Sequence, residues 1–247
     1  MSGPSDVVSV GLEGMLMQAN YRLWLNGNSL VLIDKAVRAT RAEDLLNVQL
    51  SAFIAANKRH ASAVPEAAWH TEYLRIQGSF GCSLGTLQSC TLPQPGAAVI
   101  EPWKALQANL LAQLPSTLQA PVAECLDAFR AKPDEAVQQQ LWAECVQPPD
   151  DGGNSQVHAE LRLILPDSSI ISTELSLNVA ELLGPTWLWQ ALDSACVQAG
   201  RQVDVHYLSQ DKLVDSIGTG LSDTLKVKRA QYRSAIRLFP YKEWKHE

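Results

Sequence analysis

The stretch Val157–Val179, VHAELRLILPDSSIISTELSLNV, alternates apolar and polar side chains on both sides of a Pro-Asp-Ser-Ser turn. Period-two alternation in two arms about turn residues is the mark of a β-hairpin. One face carries Val157, Ala159, Leu161, Leu163 and Leu165, continued by Ile171, Thr173, Leu175, Leu177 and Val179. The other face is mostly polar and includes His158, Glu160, Arg162 and Glu174. Opposed like charges on a ladder cost a few tenths to ~1 kcal/mol, so the expected register sets Arg162 opposite Glu174 and His158 opposite Asn178. The alternative, Glu160 facing Glu174, is disfavoured on the same ground. The expected loop is 166–170.

Downstream, Gly184-Pro185 reads as a helix start, with Trp187, Leu188, Leu192 and Ala195 as its apolar residues and Gly200 as its end. RQVDVHYLS, from Arg201, supplies a third strand and completes a β-β-α-β unit with one helix-covered face. Upstream, QPPDDGGNSQ (147–156) holds two prolines, two aspartates and two glycines, which build no regular element. It divides the chain into a mixed region, 1–146, and a β-rich region, 157–247, as a linker or an exposed loop.

In the first region, YRLWLNGNSLVLID reads as two short strands about Asn26-Gly27. Thr40-Arg41-Ala42-Glu43 has the spacing of a capping box and opens a helix with Leu46, Leu50 and Phe53 on its buried stripe. Lys58, Arg59 and His60 close it, where cations favour the negative end of the helix dipole. WHTEYLRIQGSF (69–80) alternates well enough for a strand. Three helices follow over 101–146, announced by Pro102, Pro121 and Pro133 at first-turn positions. The fold class expected is α+β.

The chain has 247 residues, 46% hydrophobic and 19% charged, which excludes wholesale disorder and permits a sizeable core. No run approaches the ~18–20 apolar residues of a membrane span. The N-terminus lacks a basic region and a continuous apolar core, so no secretory signal is read there. The five cysteines are scattered, and Cys82 and Cys90 have no second pair to complete a zinc set. A cytoplasmic setting is the default these features imply.

Chemistry is sparse. The five histidines show no His-x-x-x-His or His-Glu-x-x-His spacing, and no Gly-x-Ser-x-Gly occurs. GSFGCSLG (78–85) lacks dinucleotide-loop spacing, and Gly218-Thr219-Gly220 reads as a turn. His158 beside Glu160 and His206 beside Asp204 read as polar pairs on a solvated sheet face rather than as general bases, because no nucleophile converges on either. His70 and Glu72 read the same way. No catalytic residue, metal site or cofactor is assigned, and enzymatic activity is not expected. Of the seven tryptophans, Trp187 and Trp189 point in different directions on a helix, so one is a candidate exposed anchor.

The most informative asymmetry is charge. The chain carries −6 overall, yet residues 221–247 hold seven Lys/Arg against three acids. A helix over 223–238 would align Lys226, Arg229, Arg233 and Arg237 in one stripe, with Leu225, Tyr232, Ile236 and Phe239 in another. Pro240 ends it. The functional expectation is a non-enzymatic adaptor or subunit of a larger assembly, using Lys226, Arg229, Arg233, Arg237, Tyr241 and Trp244 against an acidic partner protein. The alternative is a nucleic-acid-binding component, in which those cations neutralise phosphates and Tyr241 or Trp244 stacks on bases. Overall acidity counts against it, and the apolar face is small for a membrane surface. An enzyme of unrecognised class ranks third.

Overall fold

In the computed structural model, the described residues are 20–60, 67–93, 97–131, 134–148, 153–209 and 220–236. The chain is α+β. The strands are β1 (Tyr21–Asn26), β2 (Ser29–Asp34), β3 (Cys82–Leu92), β4 (Val99–Ile100), β5 (Val146–Gln147), β6 (Ser155–Ile164), β7 (Ser169–Val179), β8 (Leu192–Asp193), β9 (Val197–Ser209) and β10 (Arg233–Ile236). An eight-stranded sheet has the order β10-β1-β2-β6-β7-β9-β3, with β5 beside β6, while β4 and β8 form a separate pair. Only β2 and β6 pair in parallel within the described sheet. Strands from both sides of residues 147–156 therefore share one sheet. Residues 149–152 of that stretch lie outside the described residues.

The helices lie in two layers. The first holds α1 (Ala39–Arg59) and α2 (Ala67–Ser79), and the second α3 (Pro102–Ala112), α4 (Ser116–Ala131) and α5 (Glu135–Cys145); α6 (Lys226–Tyr232) precedes β10. The larger core joins Leu161, Leu163, Leu175 and Leu177 of the hairpin to Trp103, Leu106, Leu110, Leu126 and Phe129 of the second layer. On the opposite sheet face, Val31, Ile33, Ile164, Val203 and Val205 pack against Leu45 and Leu46 of α1.

The hairpin forms, but in the other register. Glu160 stands opposite Glu174, and Arg162 opposite Ser172. The turn spans 165–168, closed by a hydrogen bond from Ser168 N to Leu165 O (3.3 Å), with Asp167 Oδ1 accepting from Ser169 N (3.0 Å). Ser168 takes a left-handed φ of 70°. The repulsion argument fails because the polar face is not solvated: it is covered by α2, which delivers a separate partner to each carboxylate.

Four other expectations need correction. Residues 69–79 are helical, since Trp69, Tyr73 and Gln77, four apart, bury one stripe at 2%, 1% and 0% exposure. Residues 185–196 form only short 3-10 turns at Trp187–Trp189 and Ser194–Cys196 around β8, and β9 already begins at Val197. Gly200 ends no helix and lies inside β9, where a Cβ would come within 2.9 Å of Leu92 Cβ. Helix α4 begins at Ser116, leaving Pro121 inside it, and α1 begins at Ala39 with no side-chain cap at Arg38. The capping box does not form, because the helix starts at Ala39 and Thr40 lies inside it rather than at its cap.

Other features match. Leu46, Leu50 and Phe53 are buried, and basic residues close α1. β1 and β2 form the expected hairpin, but Asn26 pairs with Ser29, so the two-residue turn is Gly27-Asn28 rather than Asn26-Gly27. Gly27 has φ +60°, the first central position of a type II′ turn.

Candidate functional site

The C-terminal segment is held onto the body by its own arginines. Helix α6 ends at Tyr232, and Arg233 to Ile236 continue as β10 along β1 rather than as helix. The Arg233 side chain is 5% exposed and pairs with Glu43 Oε1 at 2.9 Å. It also donates to Asn26 Oδ1 (2.7 Å) and Asn47 Oδ1 (3.0 Å). Arg229 pairs with the same Glu43 oxygen and donates to Ser222 O at 3.2 Å. Burial, with Arg229 alongside, lowers the pKa of Arg233 against the opposing pull of Glu43. Tyr232 sets its ring edge-on to Phe53 at 6.2 Å, and its carbonyl accepts from Gly27 N at 2.8 Å.

The expected outward basic stripe therefore splits. Arg229 and Arg233 face inward, while Lys226 and Lys228 remain exposed beside Val227, itself 78% exposed. Lys228 lies over the Tyr232 ring at 5.5 Å. Arg237, Tyr241 and Trp244 lie outside the described residues.

A second cluster, not expected from the sequence, lies between the sheet and α2. Arg162, 2% exposed, donates through Nε to Glu160 Oε1 (2.9 Å), through Nη1 to Gln77 Oε1 (3.0 Å) and through Nη2 to the Tyr73 hydroxyl (3.1 Å). Its guanidinium lies 5.3 Å from the Tyr207 ring centroid. Tyr73 in turn donates to Glu160 Oε2 at 2.9 Å, and Ser29 Oγ bonds the same oxygen. Glu174 Oε2 lies 3.1 Å from His70 Nδ1 and 3.6 Å from His158 Nε2. Asn28 Nδ2 and His158 Nδ1 are 3.0 Å apart, and Trp69 meets the His158 ring edge-on at 4.4 Å.

Electrostatics follow from this packing. For His70, burial lowers the pKa, but the attraction and hydrogen bond of Glu174, aided by Glu160 and opposed by Arg201, leave it raised. Burial pushes the Glu174 carboxyl up, yet the two histidines outweigh it and hold it well below the usual carboxylate range. His158 is thus buried beside Glu174, not part of a solvated pair with Glu160. His70 likewise faces Glu174, while Glu72 two positions on pairs with Arg59 (2.9 Å) and Arg75 (2.7 Å). All members are enclosed, so the cluster is placed to specify how α2 docks on the sheet. Among the described residues no group of three His, Cys, Asp or Glu is arranged to hold a metal ion.

The remaining histidine pair lines a cleft of about 190 Å³ bounded by Thr86, Gln88, Gln113, Ile171, Asp204 and His206. It offers one imidazole and one carboxylate.

No family model matches this chain, and no curated protein matches it. A solved structure named delta-endotoxin aligns with a TM-score of 0.42 at 11% identity, over 74% of this chain and 81% of that one. A likeness at that level carries no functional argument.

Trp187 is fully buried, whereas Trp189 is partly buried 6.1 Å from Phe129, so neither stands out as a free anchor. Glu43 was the anchoring residue hardest to foresee. Its only sequence signal was its place in the capping-box pattern, which pointed to a different role.

Proposed function

We propose that this chain is a non-enzymatic subunit or adaptor that docks an acidic protein through its C-terminal segment. The observation carrying this reading is the division of labour among the cations. Arg229 and Arg233 moor α6 and β10 to Glu43, and that anchorage presents Lys226, Val227 and Lys228 to solvent on a fixed helix. An ordered helix loses less conformational freedom on binding than a loose tail, which favours a specific contact. The five cysteines are all free, which supports a reducing, cytoplasmic setting.

The test is a double reversal, Lys226→Glu with Lys228→Glu, in the full chain. Arg229 and Arg233 are unsuitable, since reversal there sets a like charge against Glu43. Exposed reversals should change stability by no more than ~0.5 kcal/mol each. Native purification with mass spectrometry, at low and high salt, should show an acidic protein lost from the variant. Protein contact should weaken gradually with salt, following the Debye length. A log–log slope that drops by roughly 0.7–0.9 per lost cation would instead indicate nucleic acid. An unchanged set of co-eluting molecules would overturn the reading.

A further inference from the structure

The two ends of the large sheet are finished differently. At one end lies β10, four residues long. At the other lies β3, eleven residues long, paired on one side by β9 and followed by no further strand among the described residues. Nine consecutive residues of β3 are exposed.

Natural edge strands are usually blunted by charge, by proline, by brevity or by a covering element, because their open backbone groups template further pairing. Strand β3, CSLGTLQSCTL, has no charged residue and no proline. Its one irregularity is a bulge between Leu84 and Thr86, after which Thr86–Leu92 pairs regularly with Gly200–His206. Apolar side chains are also uncovered here: Leu84 and Leu87 on β3 are 50% and 39% exposed, and Leu208 on β9 is 52% exposed.

We infer that the Thr86–Leu92 edge of β3 is an interaction surface for a second copy of this chain, joined antiparallel about a two-fold axis near Ser89. A two-fold contact must be self-complementary. About Ser89, Leu87 stands opposite Thr91 of the second copy and Gln88 opposite its Cys90, with no charge facing a charge. The net charge of −6 repels a second copy over the body as a whole, and the neutral strand is where that repulsion is least. A partner strand bearing charged residues would find no counter-ion along β3. This surface is separate from the C-terminal segment and does not depend on the function proposed for it.

The experiment is sedimentation of the full chain under reducing conditions into the high-micromolar range, with hydrogen exchange on the same samples. The wild type should form a dimer that dissociates on dilution, and the amides of 86–92 should gain protection as concentration rises. Leu87→Lys and, separately, Gln88→Glu each place like charges near the two-fold axis. Each should weaken the dimer at least ~10-fold, with thermal unfolding of the monomer unchanged. Two variants are used so that a folding defect in one leaves the other decisive. A wild type that stays monomeric, a dimer indifferent to both variants, or protection of 86–92 that does not vary with concentration would each overturn the inference.

Discussion

Glu160 and Glu174 face each other across β6 and β7, and each is matched to a different basic side chain: Arg162 for the first and His70 for the second. Two buried carboxylates on neighbouring strands are tolerable only because α2 supplies Tyr73, Gln77 and His70 from above. The arrangement ties the register of the hairpin to the docking of one helix.

Removing one partner should cost far more than removing both. Arg162→Met leaves Glu160 buried without its cation, a change that typically costs ~3–5 kcal/mol. Adding Glu160→Gln should recover a substantial part of that loss. Urea unfolding of the two single variants and the double variant measures the coupling; additive losses would show that the pair is not a unit.

Stability should also respond to pH through His70. Its pKa is raised in the fold, so its contribution is complete below the ordinary histidine value of ~6.5 and is lost as pH rises through the folded value. Glu174 acts in the opposite sense: its pKa is depressed, and its contribution is present above the ordinary carboxylate range and lost on acidification. Chemical unfolding from pH 5 to 9 should show declining stability on the alkaline side, and His70→Asn should flatten that decline. A decline of the same steepness in the variant would assign it to another group.

The C-terminal segment should detach when its anchor is cut. Arg233→Ala removes three polar contacts and leaves Asn26 and Asn47 without a partner they now bond. The expected loss is ~1–3 kcal/mol. It should appear locally, as faster hydrogen exchange at Gly27, whose amide bonds Tyr232 O. Unchanged protection at Gly27 would show that Tyr232 and Phe53 hold the segment without the arginine.

Much of the architecture was legible because it depends on local chemistry. The Val157–Val179 alternation specified a hairpin with Leu161, Leu163, Leu175 and Leu177 inward, and those residues are buried. Pro102 marked a helix start, and the faces of α3 and α4 follow from spacing alone. Residues 69–80 satisfied two periodicities at once, since a strand and a helix can each bury Trp69 and Tyr73. Contact with the sheet, 5.0 Å stacking of those two rings and the burial of Gln77 select the helix.

By itself the sequence determined the α+β class, the hairpin and which of its faces is apolar, because side-chain period is a property of the backbone. Only the tertiary structure decided what covers the polar face and where the C-terminal arginines point. Both are long-range electrostatic choices: Glu43 meets Arg233 across 190 residues of chain, and His70 meets Glu174 across 104. A charge reads as solvated or paired only once its environment is known, because the cost of burying it is set by partners that sequence spacing does not reveal.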